Sequence, residues 1–402
     1  MVHPFRVMHT SKKSRARAGE LKTAHGKIAT PFFMPIATRG AVKTLAASDM
    51  RELGAQILLS NTYHLFVRPG MEVIKKAGGL HKFMGWDGPI LTDSGGYQIF
   101  SLAAKNKSEI RNPKSETNDE ADYDVRITKD GAEFIDRLSG RKDLLTPERV
   151  VEIQKTMGVD IAMVLDVCAP YPISHVGAKE AMEMTSEWAR RSIEHRAKSI
   201  GYKVRNSKPY ALSHTQLLFG IVQGSVYKDL RQQSAREITE LGFDGYAIGG
   251  VAVGENARQK RQVVDWVVPN LPEDKPRYLM GLGQPEEIVW AVQSGIDMFD
   301  CVLPTRNARH GNLYVRKSSQ SSVHSSQFYN VMHITNEKYR ADFKPVDPHC
   351  SCFTCTHHSR AYLRHLFKTA EPLAARLATI HNVKFYLDLM AGLRDAIACG
   401  RL

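Results

Sequence analysis

TPERVVEIQKTMGVDIAMVLD, residues 146–166, reads as a helix delivered straight into a buried strand. Thr146 is an N-cap, and Pro147 takes the first helical position, where a missing N–H is no loss. ERVVEIQKTMG carries the helix, and DIAMVLD (160–166) follows as a near-continuous apolar run ended by Asp166. Such runs mark strands covered on both faces, as in parallel sheets. Seven more are PFFMPIA (31–37), QILLS (56–60), PILTD (89–93), LFGIV (218–222), GYAIGG (245–250), RYLMGL (277–282) and GIDMFDC (295–301). Helical signals separate several of them, and Pro285-Glu286-Glu287 opens IVWAVQSG much as Thr146-Pro147 opens its helix. Eight strands alternating with helices predict an α/β fold, a (β/α)8 TIM barrel, rather than an open doubly wound sheet. No GxGxxG or GxxxxGKS/T loop follows any strand, which argues against a nucleotide cofactor.

Chemistry in such barrels sits at the C-terminal strand ends. Here those ends read Asn61, Asp93, Asp166, Gln223, Gly250 and Asp300. One strand-end aspartate is commonly just a helix cap. Three carboxylates and an amide on one rim make a candidate active site. Asp93-Ser94-Gly95-Gly96-Tyr97-Gln98 adds two glycines that let backbone approach a ligand and a tyrosine face on which a base can stack. In GIDMFDCVLPTR (295–306), Asp297 and Asp300 are three apart and point to opposite faces of a strand, so only one serves the rim. Asp300, at the strand end, is the better candidate. Arg306 and Arg309 follow it, placed to grip phosphates or base edges.

Two stretches interrupt the alternation. Residues 104–124 form a long polar loop, and DVRITKDGAEFI (124–135) predicts a hairpin around Asp130-Gly131. Residues 316–327 are Ser-rich.

The 402 residues carry a formal net charge of +13, crowded at the two ends. Nine Lys/Arg face one acidic residue over 1–43, and fourteen face six over 301–402. A near-neutral body with basic ends fits a polyanionic partner, although a general basic bias gives the same numbers. No run of about 18 uncharged apolar residues occurs, so no membrane span is expected. The N-terminal MVHPFRVMHTSKKSRARAG lacks an apolar signal core, which makes the cytoplasm the expected compartment.

Without a secretory signal, clustered cysteines argue for metal rather than disulfides. Cys350-x-Cys352-x2-Cys355 supplies three thiolates, and one histidine would complete a closed tetrahedral zinc site of structural type. By spacing alone the fourth ligand stays open between His357 or His358 nearby and His381 farther on.

Together these motifs resemble the tRNA-guanine transglycosylase (queuine tRNA-ribosyltransferase) family. DSGGYQ, GIVQGS (220–225), GYAIGGVAVGE (245–255), YLMGLG (278–283), FDCVLPTR (299–306) and the cysteine–histidine set occur in the family's order, within a resemblance running from about Ala24 to Arg401. The resemblance implies exchange of guanine at the wobble position of GUN-anticodon tRNAs (those for Asp, Asn, His and Tyr), the start of queuosine biosynthesis. It implies Asp300 as nucleophile on the ribose and Asp93 as proton acceptor. It places Ser94, Tyr97, Gln98, Asp166, Gln223, Gly250 and Met280 around the base, and Cys301, Val302, Arg306 and Arg309 against the anticodon loop. It names Cys350, Cys352, Cys355 and His381 as ligands of one zinc ion per subunit, and it implies a homodimer. Cys168 and Val253 match the bacterial pattern, so the incoming base is expected to be 7-aminomethyl-7-deazaguanine (preQ1), with guanine leaving. Val167 and Ala169 depart from the glutamate and threonine common in bacterial relatives. The expected division is a catalytic barrel over 1–310, with insertions near 104–135 and 201–216, and a zinc-binding helical subdomain over 311–402.

Three rival readings remain: a catalytically inactive accessory subunit, a zinc-stabilised RNA-binding scaffold, and a base-releasing hydrolase. Retention of both Asp93 and Asp300 argues against the first, and fold alone does not exclude the third.

Overall fold

The computed structural model describes residues 4–96, 125–136, 140–199, 216–317 and 328–402. Eight parallel strands form its centre: β1 (Phe32–Met34), β2 (Leu58–Asn61), β3 (Ile90–Asp93), β4 (Ile161–Met163), β5 (Leu217–Val222), β6 (Gly245–Ile248), β7 (Arg277–Leu279) and β8 (Met298–Asp300). Each falls within, or overlaps almost entirely, one of the eight apolar runs. Their order in the sheet, β1-β8-β7-β6-β5-β4-β3-β2, sets every strand beside its neighbours in the chain. A parallel bridge from Ile36 to Leu59 brings β1 against β2, so the barrel nearly closes. Every residue of β4 and β5 is buried, which is why those runs carry no polar alternation.

Helices α1 (Pro147–Met157), α2 (His175–Ser199), α3 (Lys228–Glu240), α4 (Ala257–Val267) and α5 (Pro285–Gln293) fill the crossovers from β3 to β8. Thr146 caps α1 through its side-chain oxygen, which accepts the Arg149 N–H at 3.2 Å. Gly158 ends the same helix in the left-handed region. The expected hairpin is present as Val125–Thr128 paired with Gly131–Asp136. Its turn is Lys129-Asp130, one residue earlier than expected, and a third strand, Arg141–Leu145, continues the sheet. Tyr97, Gln98, the polar stretch 104–124, residues 201–215 and most of the Ser-rich segment (318–327) lie outside the described residues.

The N-terminal ends of the barrel strands are held by charge. Arg17 lies on the antiparallel sheet formed by residues 5–10, 17–23 and 26–30. Its Nε and Nη2 donate to the two Asp297 oxygens at 3.0 and 2.6 Å. The Arg277 N–H also donates to Asp297, at 2.8 Å. Asp297 is therefore a fully buried structural carboxylate, three residues before Asp300 and away from the rim. Asp297→Ala would strand the buried Arg17 guanidinium. We expect a loss of about 3–5 kcal/mol in urea unfolding, with unchanged catalysis per folded molecule. An Asp297→Ala protein of parental stability would contradict this role.

His25 and His81 make a second bracket on Asp160, at 2.9 and 3.1 Å, one ring to each oxygen. The rings stack 3.7 Å apart at 20°. Each ring is tied to its own Asp160 oxygen, so the three form a hydrogen-bonded clasp at the start of β4.

After β8 the short helix α6 (Leu303–Arg309) leads to a ribbon of Asn312–Arg316 and Tyr329–His333. The chain then passes helices Phe353–His357 and Arg360–Lys368 to α7 (Pro372–Ala398). α7 lies on the barrel, with Tyr386 4.9 Å from Phe33 ring to ring and Arg394 donating to the Pro31 carbonyl at 2.8 Å. One buried apolar cluster runs from the strands into α7. Among the described residues, no helix is long and apolar enough to cross a membrane.

Candidate active site

Asp93 and Asp300 are the last residues of β3 and β8, Gln223 follows β5 directly, and Met280 follows β7. Asp166 and Gly250 lie a few residues beyond β4 and β6. The strands therefore deliver these groups to one end of the barrel. Asp93, Ser94, Asp166, Gly250, Met280 and Asp300 line a single cavity of about 510 Å³.

Asp93 is held by three donors. Asn61 Nδ2 donates at 2.7 Å, the Thr62 N–H at 3.2 Å and the Gly95 N–H at 3.1 Å. Burial nevertheless pushes its carboxyl up to about 7, and repulsion from Asp300 adds to the rise. Near neutrality such a group can both give and take a proton. Gly95, at φ +82°, makes that backbone donation possible, since a Cβ there would lie 2.7 Å from the Tyr63 Cβ.

Asp300 is asymmetric. Its Oδ1 accepts the Tyr278 hydroxyl at 2.6 Å and the Gly281 N–H at 2.8 Å. No described residue donates to Oδ2. Burial raises this carboxyl above its ordinary value against those two donations. The arrangement pins one oxygen and leaves the other, on the cavity, without a donor among the described residues.

Asp166 accepts from Ser94 Oγ at 3.1 Å and from Gln223 Nε2 at 2.8 Å, and burial brings it up to about 6. Gln223 does not line the cavity; it lies behind Asp166. Cys301, Val302 and Arg306 line the cavity as well. Arg309 does not, and its Nη1 turns back to the Thr305 carbonyl at 2.9 Å. Cys168 and Val253 are on the cavity wall. Val167 and Ala169 are not: they pack against the apolar core, and the Val167 N–H is bound to Thr185 Oγ1 at 3.0 Å.

Where the Cys350–Cys355 segment meets α7, Cys350, Cys352, Cys355 and His381 are all buried, with their ligand atoms within 4.8 Å of one another. These four could hold a metal ion. His381 Nδ1 faces the sulfurs, 3.2 Å from Cys355 Sγ. Its Nε2 lies 2.7 Å from the Tyr314 carbonyl, which fixes the proton on Nε2 and leaves the Nδ1 lone pair turned to the sulfurs. His357 and His358 are not in this cluster: His357 stacks on Phe353 and His358 on Tyr362. Asn382, next to His381, donates to the carbonyls of Pro304 and Asn312 at 3.1 and 2.9 Å. The Tyr386 hydroxyl reaches the Gly283 carbonyl at 2.6 Å. The helix that carries His381 thus holds the loop that follows β7 and the start of α6 after β8.

Three residues here carried no individual signal in the sequence. Tyr278 holds Asp300. Glu255 accepts the Val253 N–H at 3.0 Å, and its Oε1 is buried in the cavity wall without a hydrogen-bond partner. Arg231 reaches the rim from α3. Tyr278 and Glu255 lie inside apolar or Gly-rich strand-end motifs, and that position is the signal that could have found them.

Comparison with known proteins gives a consistent result. The profile of the family described as "Queuine tRNA-ribosyltransferase" matches residues 11–402. The protein of that description from Dictyoglomus turgidum is 47% identical over 398 residues, covering 99% of this chain and 92% of its own length. Its counterpart from Desulforudis audaxviator is 45% identical over 394 residues, 98% of this chain and 94% of its own. That from Acinetobacter baylyi is 45% identical over 389 residues, 97% and 90% respectively.

Proposed function

The chain belongs to the queuine tRNA-ribosyltransferase family, and on that premise we propose that it exchanges the wobble guanine of GUN-anticodon tRNAs for preQ1 by double displacement. The observation that carries this reading is the pair of strand-end carboxylates on one cavity: one poised near neutrality, the other with a single oxygen free. Asp300 Oδ2 attacks C1′ of the ribose, the C1′–N9 bond breaks, and the proton the departing guanine needs comes from Asp93. The incoming base then gives its proton to Asp93 and displaces Asp300 from C1′. Two carboxylates dividing one substitution into two steps is the logic of retaining glycosidases.

Asp166, backed by Gln223, accepts N–H groups of the base. Ser94, Gly250 and Met280 complete its surroundings, the family resemblance adds Tyr97 and Gln98, and Cys301, Val302, Arg306 and Arg309 meet the anticodon loop. Cys168 and Val253 on the cavity wall favour preQ1 as the incoming base. Three thiolates and an oriented imidazole suit zinc, and Cys350, Cys352, Cys355 and His381 would hold one structural ion with no open position. The tRNAs are those for Asp, Asn, His and Tyr, and the compartment is the cytoplasm. Phe343, Phe353 and Tyr362 are exposed apolar groups beside the metal site and support a homodimer.

The test is incorporation of labelled preQ1 into unmodified GUN-anticodon tRNA. Binding of the tRNA without incorporation would overturn the reading. The pH profile gives a second check. Asp93 accepts a proton only when ionised, so kcat/KM for the base should fall as pH drops through about 7. The same raised carboxyl favours the folded state most below its unfolded value near 3.8, and that contribution is lost as pH rises through about 7. An acidic limb near pH 4 would contradict this role for Asp93.

A further inference from the structure

The wall that faces the base is itself held from behind by one helix. α3 begins soon after β5, and Arg231 and Ser234 are three apart, so they share a face. Ser234 Oγ accepts the Gln223 N–H at 3.1 Å. Arg231 reaches further. Its Nε donates to the Ser225 carbonyl at 2.6 Å, Nη1 to Val222 and Gly249 at 3.0 and 2.8 Å, and Nη2 to Gly250 at 2.7 Å. The four partners are backbone oxygens from two strand ends, those of β5 and β6. Arg231 is fully buried.

Burying a guanidinium is costly when its hydrogen-bond partners are neutral carbonyls. What it supplies in return is a rigid planar fork that fixes several acceptors at once, which a lysine or a neutral side chain does not. Burial draws Arg231 down to about 10, and the Glu255 charge opposes that fall, so the side chain stays cationic at neutral pH.

The backbone held this way is unusual. Ser225 has φ +50° and Gly250 φ +59°, both in the left-handed region. A Cβ at position 250 would lie 2.6 Å from Gln223 Oε1, so the Gln223 amide packs directly on the Gly250 backbone. Gln223 Nε2 in turn orients Asp166 at 2.8 Å. The chain of contacts runs from Arg231 to the Gly250 backbone, then to the Gln223 amide, and ends at the Asp166 carboxylate on the cavity.

We propose that Arg231, seconded by Ser234, is a positioning residue that sets the base-reading wall and hence the affinity for the incoming purine-like base. This rests on the base-exchange reading above. Arg231 touches no reacting atom; it acts through Gln223, Gly250 and Asp166.

The experiment is steady-state exchange of labelled preQ1 on saturating tRNA by wild type, Arg231→Lys and Ser234→Ala. It is run with tRNA affinity and the fraction of enzyme that forms a covalent RNA adduct measured alongside. In Arg231→Lys the KM for the base should rise by about tenfold or more, since small misplacements of binding groups are expensive. Tight tRNA binding and the adduct-forming fraction should persist. Ser234→Ala should move the same constant in the same direction, more weakly, and it keeps the idea testable should Arg231→Lys fail to fold. An unchanged base KM, with kcat and adduct-forming fraction falling together, would mean the arginine only supports the fold. An inactive wild type would sink the base-exchange reading itself, a different result from an active wild type whose variants keep their base KM.

Discussion

Asp300→Asn should lower base exchange by about 10⁴-fold or more while the protein folds at least as stably as its parent. The amide oxygen can still accept from the Tyr278 hydroxyl and the Gly281 N–H, so the local hydrogen bonds survive. What disappears is the free carboxylate oxygen that would bond to C1′. Stability should not fall, because burial disfavours the ionised form of this carboxyl and a neutral amide carries no such burden. Parallel exchange assays and thermal unfolding measure both halves. Asp297→Ala, three residues away in the chain, should show the opposite pattern of lost stability and retained chemistry. If Asp300→Asn exchanged bases at a rate near wild type, the nucleophile would have to be sought elsewhere on the rim.

If Cys350, Cys352, Cys355 and His381 hold zinc as proposed, Cys352→Ser should lose that metal and, with it, a large part of the stability of the C-terminal helices. A closed site of three thiolates and an imidazole derives its energy from folding and binding together. Losing one thiolate should release about one zinc equivalent per chain and lower the unfolding midpoint by about 10 °C or more. Activity should fall too, because the helix that carries His381 also braces the cavity. α7 carries His381, and its next residue, Asn382, holds the Pro304 carbonyl in the helix that presents Arg306. Tyr386 on the same helix holds Gly283, a cavity-lining residue. Elemental analysis and scanning calorimetry of wild type and variant are the measurements. A variant that kept its metal and its midpoint would exclude the four-residue cluster as the site.

The barrel was legible because strands covered on both faces leave unbroken apolar runs, and eight of them coincide with eight paired strands. Strand lengths were less legible. DIAMVLD looks like a seven-residue strand, yet only Ile161–Met163 belong to β4, since the chain leaves the ladder to carry Asp166 onto the rim. The period of two separated Asp297 from Asp300, and the buried Arg17 fork explains why the first is structural. Proximity in sequence could not choose among His357, His358 and His381. The short helix after Cys352 sets His357 on Phe353, and His358 just past its end stacks on Tyr362, while α7 returns His381 from 26 residues beyond Cys355. Arg231 was invisible for a related reason. An arginine near the start of a helix ordinarily reads as a solvated charge, and only closure of the barrel brings the ends of β5 and β6 within reach of one guanidinium.

Rapid acid quench of wild type mixed with unmodified GUN-anticodon tRNA, followed by nuclease digestion and peptide mass mapping, tests the central claim most directly. The account predicts a ribosyl adduct on the peptide containing Asp300, absent from Asp300→Asn and discharged when preQ1 is added before the quench. An adduct on Asp93, or full exchange with no adduct at any time, would contradict it.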